Sequence, residues 1–404
     1  MRHLFKIAYR DLLRNRRRSI LTALAIALSL GLLILTSGFS TGETVGALNA
    51  TIRLQTGHLQ VREESYEEEK LSLKWEDLLK NPRRLIEDIQ SIQGVRDAAP
   101  QLWASGIIPM QDESVNVQII GIDPQSTVQD PIRESLVAGE FLSSKDRNSV
   151  LIGQKLARDL GLNVGDEINL TTSTSNGHPE AARFTIRGLY NTGASGYDET
   201  TVFMPFNKAQ TITRAEDHAS VILVVLYNRE QAETVATQIH APGAKILTWR
   251  ELNKLLLQAE QMSDAYMAFI NIIILAMGAT VIVNTLLMSV FERTREIGVL
   301  ASIGMKSGQI LSMFLVEASL LGIVGIMLGN IIGALVTLYF VKEGLYVGDM
   351  GVTGMIYTDT LYASFSTADM VSLSIATIII TLIAGLYPAW MAARLEPTAA
   401  LRAD

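Results

Sequence analysis

The sequence predicts an α-helical membrane protein with four transmembrane helices and a large extracytoplasmic α+β domain between the first and second spans. That domain reads as a strand–helix–strand subdomain with a β-rich insert. Three observations predict this fold class. Four long stretches, about Ser19–Thr41, Ala265–Phe291, Ile310–Val341 and Met370–Ala393, hold a single charge between them, Glu317. Each is long enough for a helix rising 1.5 Å per residue to cross roughly 30 Å of hydrocarbon. The stretches are unevenly spaced, one near the start and three after Asp264, with soluble-type sequence between. Finally, Arg2, Lys6, Arg10, Arg14, Arg16, Arg17 and Arg18 precede the first stretch against one acid, Asp11, so the N-terminus is expected on the cytoplasmic side.

Residues 1–18 read as a cytoplasmic amphipathic elbow helix. Leu4, Phe5, Ala8, Leu12 and Leu13 fall on one side, and Lys6, Arg10, Arg14 and Arg17 on the other. Such a helix lies in the inner-leaflet interface, its cations toward anionic lipid head groups. The basic cluster abuts a span and lacks interleaved aromatics, which argues against nucleic acid. The hydrophobic run that follows, transmembrane helix 1 at 19–42, is too long for the core of a signal peptide, and three more spans come after it.

Alternation then puts 43–264 outside. This segment carries 21 Lys/Arg and 31 Asp/Glu, net −10, consistent with an exterior domain. Gly57–Val61 alternates as a strand, and the acidic run Glu63–Glu69 reads as solvated. A helix is expected over 81–93, with Pro82 in its first turn and Gly94 just past its end, followed by strands at 95–110 and 115–122. Ser220–Tyr227, Glu230–His240 and Lys245–Thr248 form a second strand–helix–strand unit. Residues 43–125 and 217–264 are thus expected to make a membrane-proximal α+β subdomain. The insert, 126–216, holds strand candidates at Ser149–Ile152, Glu167–Thr172, Arg183–Leu189 and Thr201–Met204, and a helix at Gln154–Leu160 stopped by Gly161.

Transmembrane helix 2 (265–291) leads into a cytoplasmic segment, 292–309, then transmembrane helix 3 (310–341), an extracytoplasmic loop (342–369), transmembrane helix 4 (370–393) and a cytoplasmic tail (394–404). The 292–309 segment is read as a short amphipathic helix that docks on a cytoplasmic partner. Helical spacing groups Glu292, Arg295 and Glu296, and sets Ile297, Leu300 and Ile303 on an apolar edge; Gly298 points to a close backbone approach and Gly304 to a helix end. In the third span Gly322, Gly325, Gly329 and Gly333 have the small-residue spacing of close helix packing, and Asn271 and Asn284 can hydrogen-bond across an interface.

Catalytic chemistry finds no footing. The chain has no cysteine, and His58, His178, His218 and His240 stand apart, so no metal site is expected. There is no Gly-x-Ser-x-Gly elbow and no Gly-x-x-x-x-Gly-Lys-Ser/Thr loop; the chain is read as non-enzymatic, with no catalytic residue and no cofactor bound directly. The residues that would bind a substrate are not identifiable from the sequence.

The Glu292-Arg293-x-x-Glu296-Ile297-Gly298-x-Leu300-x-x-Ile303-Gly304 segment is similar to the coupling region of the MacB/LolCE/FtsX-type ABC transporter permease family. Tyr9–Ser19 resembles the family's N-terminal elbow, and Tyr387–Arg402 its closing signature. The resemblance implies a bacterial inner-membrane, multi-pass permease with both termini cytoplasmic, without MacB's fused ATPase. It implies a cytoplasmic ABC ATPase dimer as partner, with ATP and Mg bound there, and a second permease subunit, identical or not. Membrane lipids and an extracytoplasmic adaptor or carrier complete the expected partners. ATP-driven closure of the ATPase would move the coupling segment, and the first and second spans would carry that motion to the external domain. The expected function is export or extraction of a hydrophobic or peptidic substrate such as a lipoprotein, lipid, antibiotic or peptide. Two alternatives remain open at this point: an FtsX-like regulator of a cell-wall hydrolase, and a membrane-anchored sensor or binding module.

Overall fold

The structure, a computed structural model, describes residues 2–110, 114–348 and 358–396. It divides into two compact units: Met1–Thr44, Ala259–Leu345 and Leu361–Asp404 form one, and Val45–Gln258 with Tyr346–Thr360 the other.

The first unit is helical. A short helix, Arg2–Arg14, precedes Arg16–Thr51, and the helices Lys254–Glu292, Ser307–Glu343 and Thr367–Ala393 follow, with a short Thr294–Ser302 helix between the second and third long ones. Four of these are long and apolar enough to cross a membrane. The first two overrun the uncharged stretches, the second beginning about ten residues before Ala265. The reason is that hydropathy marks where a helix meets lipid, whereas Leu, Gln, Ala and Glu at 255–260 continue the helix without regard to charge. Span 3 packs on spans 1 and 4 through its glycines. A Cβ added at Gly325 would stand 2.6 Å from Ile26, at Gly329 2.9 Å from the Ala27 carbonyl, and at Gly333 2.9 Å from Ile34; at Gly322 it would meet Thr381 at 3.0 Å. These glycines therefore close helix contacts within the chain. Of the second span's two asparagines, Asn284 is exposed and the buried Asn271 Oδ1 has no partner; spans 1 and 2 are instead bridged by Thr22 and Thr285 at 2.9 Å.

The second unit is α+β. Its strands in order are β1 (Leu59–Glu63), β2 (Leu79–Lys80), β3 (Val95–Pro109), β4 (Ser114–Ile122), β5 (Leu136–Gly139), β6 (Ser149–Gly153), β7 (Glu167–Ser173), β8 (Pro179–Tyr190), β9 (Thr201–Pro205), β10 (His218–Ala219), β11 (Val221–Leu226) and β12 (Ala244–Thr248). β12, β1, β11 and β3 lie side by side, all antiparallel. With the helices Pro82–Gln90 and Ala232–Ala236 in the two crossovers, this is a βαββαβ arrangement with strand order 4-1-3-2. Its core includes Leu59, Val61, Ile89, Ile222, Val224, Val235 and Trp249.

β3 then continues into a second motif. Along it β4, β9, β6 and β8 follow in order, and β7 joins β8 back to β3. Thr185 is in register with Ser149 on one edge and Glu167 on the other, and Gly106 with Val117 and Thr172, so the six strands close into a ring. Ile119, Leu151, Leu170, Phe184, Ile186 and Phe203 belong to the core of this part. The region 126–216 supplies β6 to β9 to this ring, which shares the long β3 with the first motif.

Local signals explain most elements. Pro82 occupies the first turn of its helix, and Gly161 ends Gln154–Leu160 at φ +66°. The helix expected over Glu230–His240 is shorter, an Arg229–Gln231 turn followed by Ala232–Ala236. Thr234 and Thr237 are weak helix formers, and Pro242 disfavours helical geometry just before it.

Candidate functional site

The 291–306 segment is built around one buried cation. Arg293 caps the short Thr294–Ser302 helix and is only 3% exposed. Its guanidinium meets Asp11 Oδ2 at 2.6 Å on the Arg2–Arg14 helix, Glu296 Oε2 at 3.2 Å on its own helix, and Glu317 Oε2 at 3.6 Å on the third span. It also lies over the Phe314 ring, 5.8 Å from the centroid. A desolvated guanidinium is tolerated because three carboxylates from three elements share it.

Exposed pairs reinforce the same joint: Arg14 with Glu296 at 2.9 Å and Arg18 with Glu292 at 2.5 Å. Partial burial works against the Glu296 charge. The hydrogen bonds and charges of Arg293 and Arg14 outweigh it and hold the carboxyl below its ordinary value. Beneath the ion cluster, Ile297 packs with Val290, Ile310, Met313, Phe314, Ala389 and Ala392.

The expected grouping therefore changes in two respects. Arg293, counted with the coupling residues, turns inward and carries the cluster, while Arg295 stands exposed. The apolar edge also splits. Ile297 and Gly298 are buried and Leu300 is half-buried, but Val299 is 45% and Ile303 77% exposed. Positions 297, 300 and 303 step about 60° apart around a helix, so they fan over roughly 120° rather than share one face. Gly304 ends the helix at φ +97°, with its N–H donating to Ala301 and that of Met305 to Leu300. What results is a short helix locked on one side and presenting Arg295, Val299 and Ile303 on the other.

On the elbow helix Ala8 is fully buried, Leu12 half-buried, and Lys6, Arg10, Arg14 and Arg17 exposed; the Leu4 and Phe5 side chains lie outside the described ones. Of the C-terminal signature, Pro388 lies within the fourth span and Arg394 stacks 4.2 Å from the Trp390 ring, whereas 397–402 lie outside the described residues.

A second buried acid cluster occurs in the α+β unit, and no sequence signal announced it. Asp198, 3% exposed, accepts from the Thr192 backbone at 2.9 Å and the Thr192 hydroxyl at 2.7 Å. Asp359 accepts from the Ser195 hydroxyl at 2.6 Å and the Ser195 N–H at 3.2 Å, and its own N–H donates to Gly193 at 2.7 Å. Burial pushes the Asp198 carboxyl up to about 7, against the Thr192 hydrogen bonds and with help from Asp359 and Glu199. Gly153 makes room: a Cβ there would stand 1.9 Å from the Asp198 carbonyl.

Among the described residues no three His, Asp or Glu side chains come together in a metal-holding group. His58 Nδ1 accepts from the Leu226 N–H, and His218 stacks on Trp75, both structural placements.

Comparison with known proteins covers nearly the whole chain. The family described as MacB-like periplasmic core domain matches residues 19–241, and the FtsX-like permease C-terminal family residues 268–397. The chain is 27% identical over 330 residues to the lipoprotein-releasing system transmembrane protein LolC of Xylella fastidiosa (strain 9a5c), covering 78% of this chain and 76% of that protein. It is 22% identical to LolE of the same named system in Haemophilus influenzae, over 96% of each chain. It is 23% identical to a probable export ATP-binding/permease protein MacB of Pseudomonas entomophila, which matches all of this chain with 59% of its own length.

Proposed function

This chain belongs to the ABC transporter permeases of the LolC/MacB/FtsX type, and on that premise we propose that it couples a separate ATPase dimer to work done outside the membrane. The observation that carries this reading is the short Thr294–Ser302 helix, anchored through Arg293 and Ile297 and open at Arg295, Val299 and Ile303. An anchored helix with a free apolar edge suits docking into a groove on a cytoplasmic protein, because pushing it moves the spans it is pinned to. The positive-inside rule puts this loop and both termini in the cytoplasm. The ATPase partner would hold ATP and Mg, since this sequence has no phosphate-binding loop.

The permease would act together with a second permease subunit. Its substrate is proposed to be a lipoprotein or a similar lipid-bearing or peptidic molecule, engaged on the outer side. The likeness to LolC and LolE, named for lipoprotein release, supports the lipoprotein first. A variant carrying Val299→Asp and Ile303→Asp tests the docking step. Its ATPase is expected to dissociate on purification while the permease keeps its fold; retention of the ATPase at wild-type stoichiometry would overturn the reading.

A further inference from the structure

We infer that Arg293 is a positioning residue rather than an ATPase contact: it makes the elbow helix, the coupling helix and the third span move as one body. The inference deepens the docking reading above and rests on it for its purpose, though not for its geometry. Arg293 is 3% exposed, so no docking protein reaches it without displacing the helix. Its three carboxylate partners sit on three different elements, Asp11 on Arg2–Arg14, Glu296 on Thr294–Ser302 and Glu317 on Ser307–Glu343. A side chain that served only its own helix would be satisfied by Glu296, three residues along.

The partners are also unequal. Glu296 is half-exposed and shared with Arg14, whereas Asp11 and Glu317 are sheltered and meet different guanidinium nitrogens, Nη2 and Nη1. Glu317 is the single charge within the uncharged core of the spans, and its carboxylate is turned to Arg293. A lone acid in a span is costly unless paired, and the 3.6 Å ion pair with Arg293, made without a hydrogen bond, ties span 3 to the coupling helix. The guanidinium fork matters here. It presents N–H donors in several directions at once, which a lysine ammonium on a flexible stem does less well.

The absence of cysteine lets spin labels be placed at Arg10→Cys on the elbow and Ser302→Cys on the coupling helix. The distance between them is measured first in the permease alone. The expected wild-type result is one narrow distribution, and Arg293→Gln is expected to split or broaden it, with Arg293→Lys intermediate. If Arg293→Gln does not yield folded protein, Asp11→Asn, which removes one partner from the periphery, is expected to broaden the same distribution. Unchanged distributions in these variants would overturn the inference. The pair is then measured in the complex with the co-expressed ATPase, with and without a non-hydrolysable nucleotide. A wild-type distance that stays fixed between those states supports one-body motion, and a nucleotide-dependent change overturns it. Failure of the ATPase to co-purify with the unlabelled wild-type chain would sink the docking reading alone, leaving the measurement on the isolated permease to decide the joint.

Discussion

Two buried carboxylate clusters, one at Arg293 and one at Asp198, solve the same physical problem in opposite ways. Around Arg293, the carboxylates of Asp11, Glu296 and Glu317 share a guanidinium, and Glu296 is held ionised below its ordinary range. Around Asp198, the hydrogen-bond donors are neutral, Thr192 and its backbone; the acids Asp359 and Glu199 lie nearby, and Lys155 pairs with Glu199 at 2.9 Å. A carboxylate there keeps its proton up to about pH 7. The difference teaches that a carboxylate flanked by guanidinium groups keeps its charge where a buried one among neutral donors and other acids takes up a proton. The Glu296 carboxylate is thus expected to stay ionised over the range in which the Asp198 carboxyl titrates.

Removing the Arg293 cation has the largest expected effect. Arg293→Gln leaves the sheltered Asp11 and Glu317 without their cation, while Glu296 keeps Arg14, and is expected to cost about 3–5 kcal/mol, the usual penalty for leaving buried charge unpaired. The thermal unfolding midpoint of the purified permease should fall well below wild type. Asp198→Asn, which removes a carboxylate held by the neutral Thr192 donors, should leave that midpoint unchanged or raise it at pH 8.

The next effect concerns pH. Asp198 has a folded pKa raised above its unfolded value near 3.8, so the folded state binds the extra proton between the two. Stability should therefore decline as pH rises from about 4 to 7 and level off above, by on the order of 3 kcal/mol from this group. Melting followed by tryptophan fluorescence at pH 5 and pH 8 reads it, because Trp75, Trp103 and Trp249 all lie in the α+β unit. Asp198→Asn should flatten the dependence. Glu296 runs the other way: its lowered pKa stabilises above its unfolded value and is lost only as pH falls through the acid range below it.

Smaller effects sharpen the contrast. Ser195→Ala removes the hydroxyl that donates to Asp359 and is expected to cost about 1.5 kcal/mol, the low end for a hydrogen bond to a charged group. Faster hydrogen exchange at the Asp359 amide, which donates to Gly193, would report it. Arg14→Ala breaks an ion pair whose two side chains are 53% and 47% exposed, so a loss under about 1 kcal/mol is expected in melting experiments. A large loss there would mean that Arg14, and not Arg293, holds the joint.

How far all this was legible follows from the range of each signal. The spans were visible because charge exclusion is a property of each residue in turn, and β3 and β4 because alternation is local. The closing of six strands was not, since it depends on Thr185 and Gly106 each finding partners on two edges, which no local pattern encodes. The short Phe206–Thr213 helix also went unseen: Asn207, Thr211 and Thr213 are weak helix formers, and packing of Ala209 and Ile212 decides it. In the coupling segment the residues were evident and their directions were not. Glu317 stood out as a charge in a span, Arg293 as part of a motif, and Asp11 as the odd acid in a basic arm. Only the fold brings those three exceptions together.

The central claim is that the Thr294–Ser302 helix offers its outer edge to an ATPase while Arg293 holds its inner edge. A single cysteine placed at Ile303, 77% exposed in an otherwise cysteine-free chain, tests it by cross-linking in membranes that contain the co-expressed ATPase. A covalent permease–ATPase product is expected from Ile303→Cys and none from a cysteine at the buried Ile297. Equal cross-linking from both positions, or none from Ile303 in an active complex, would contradict it.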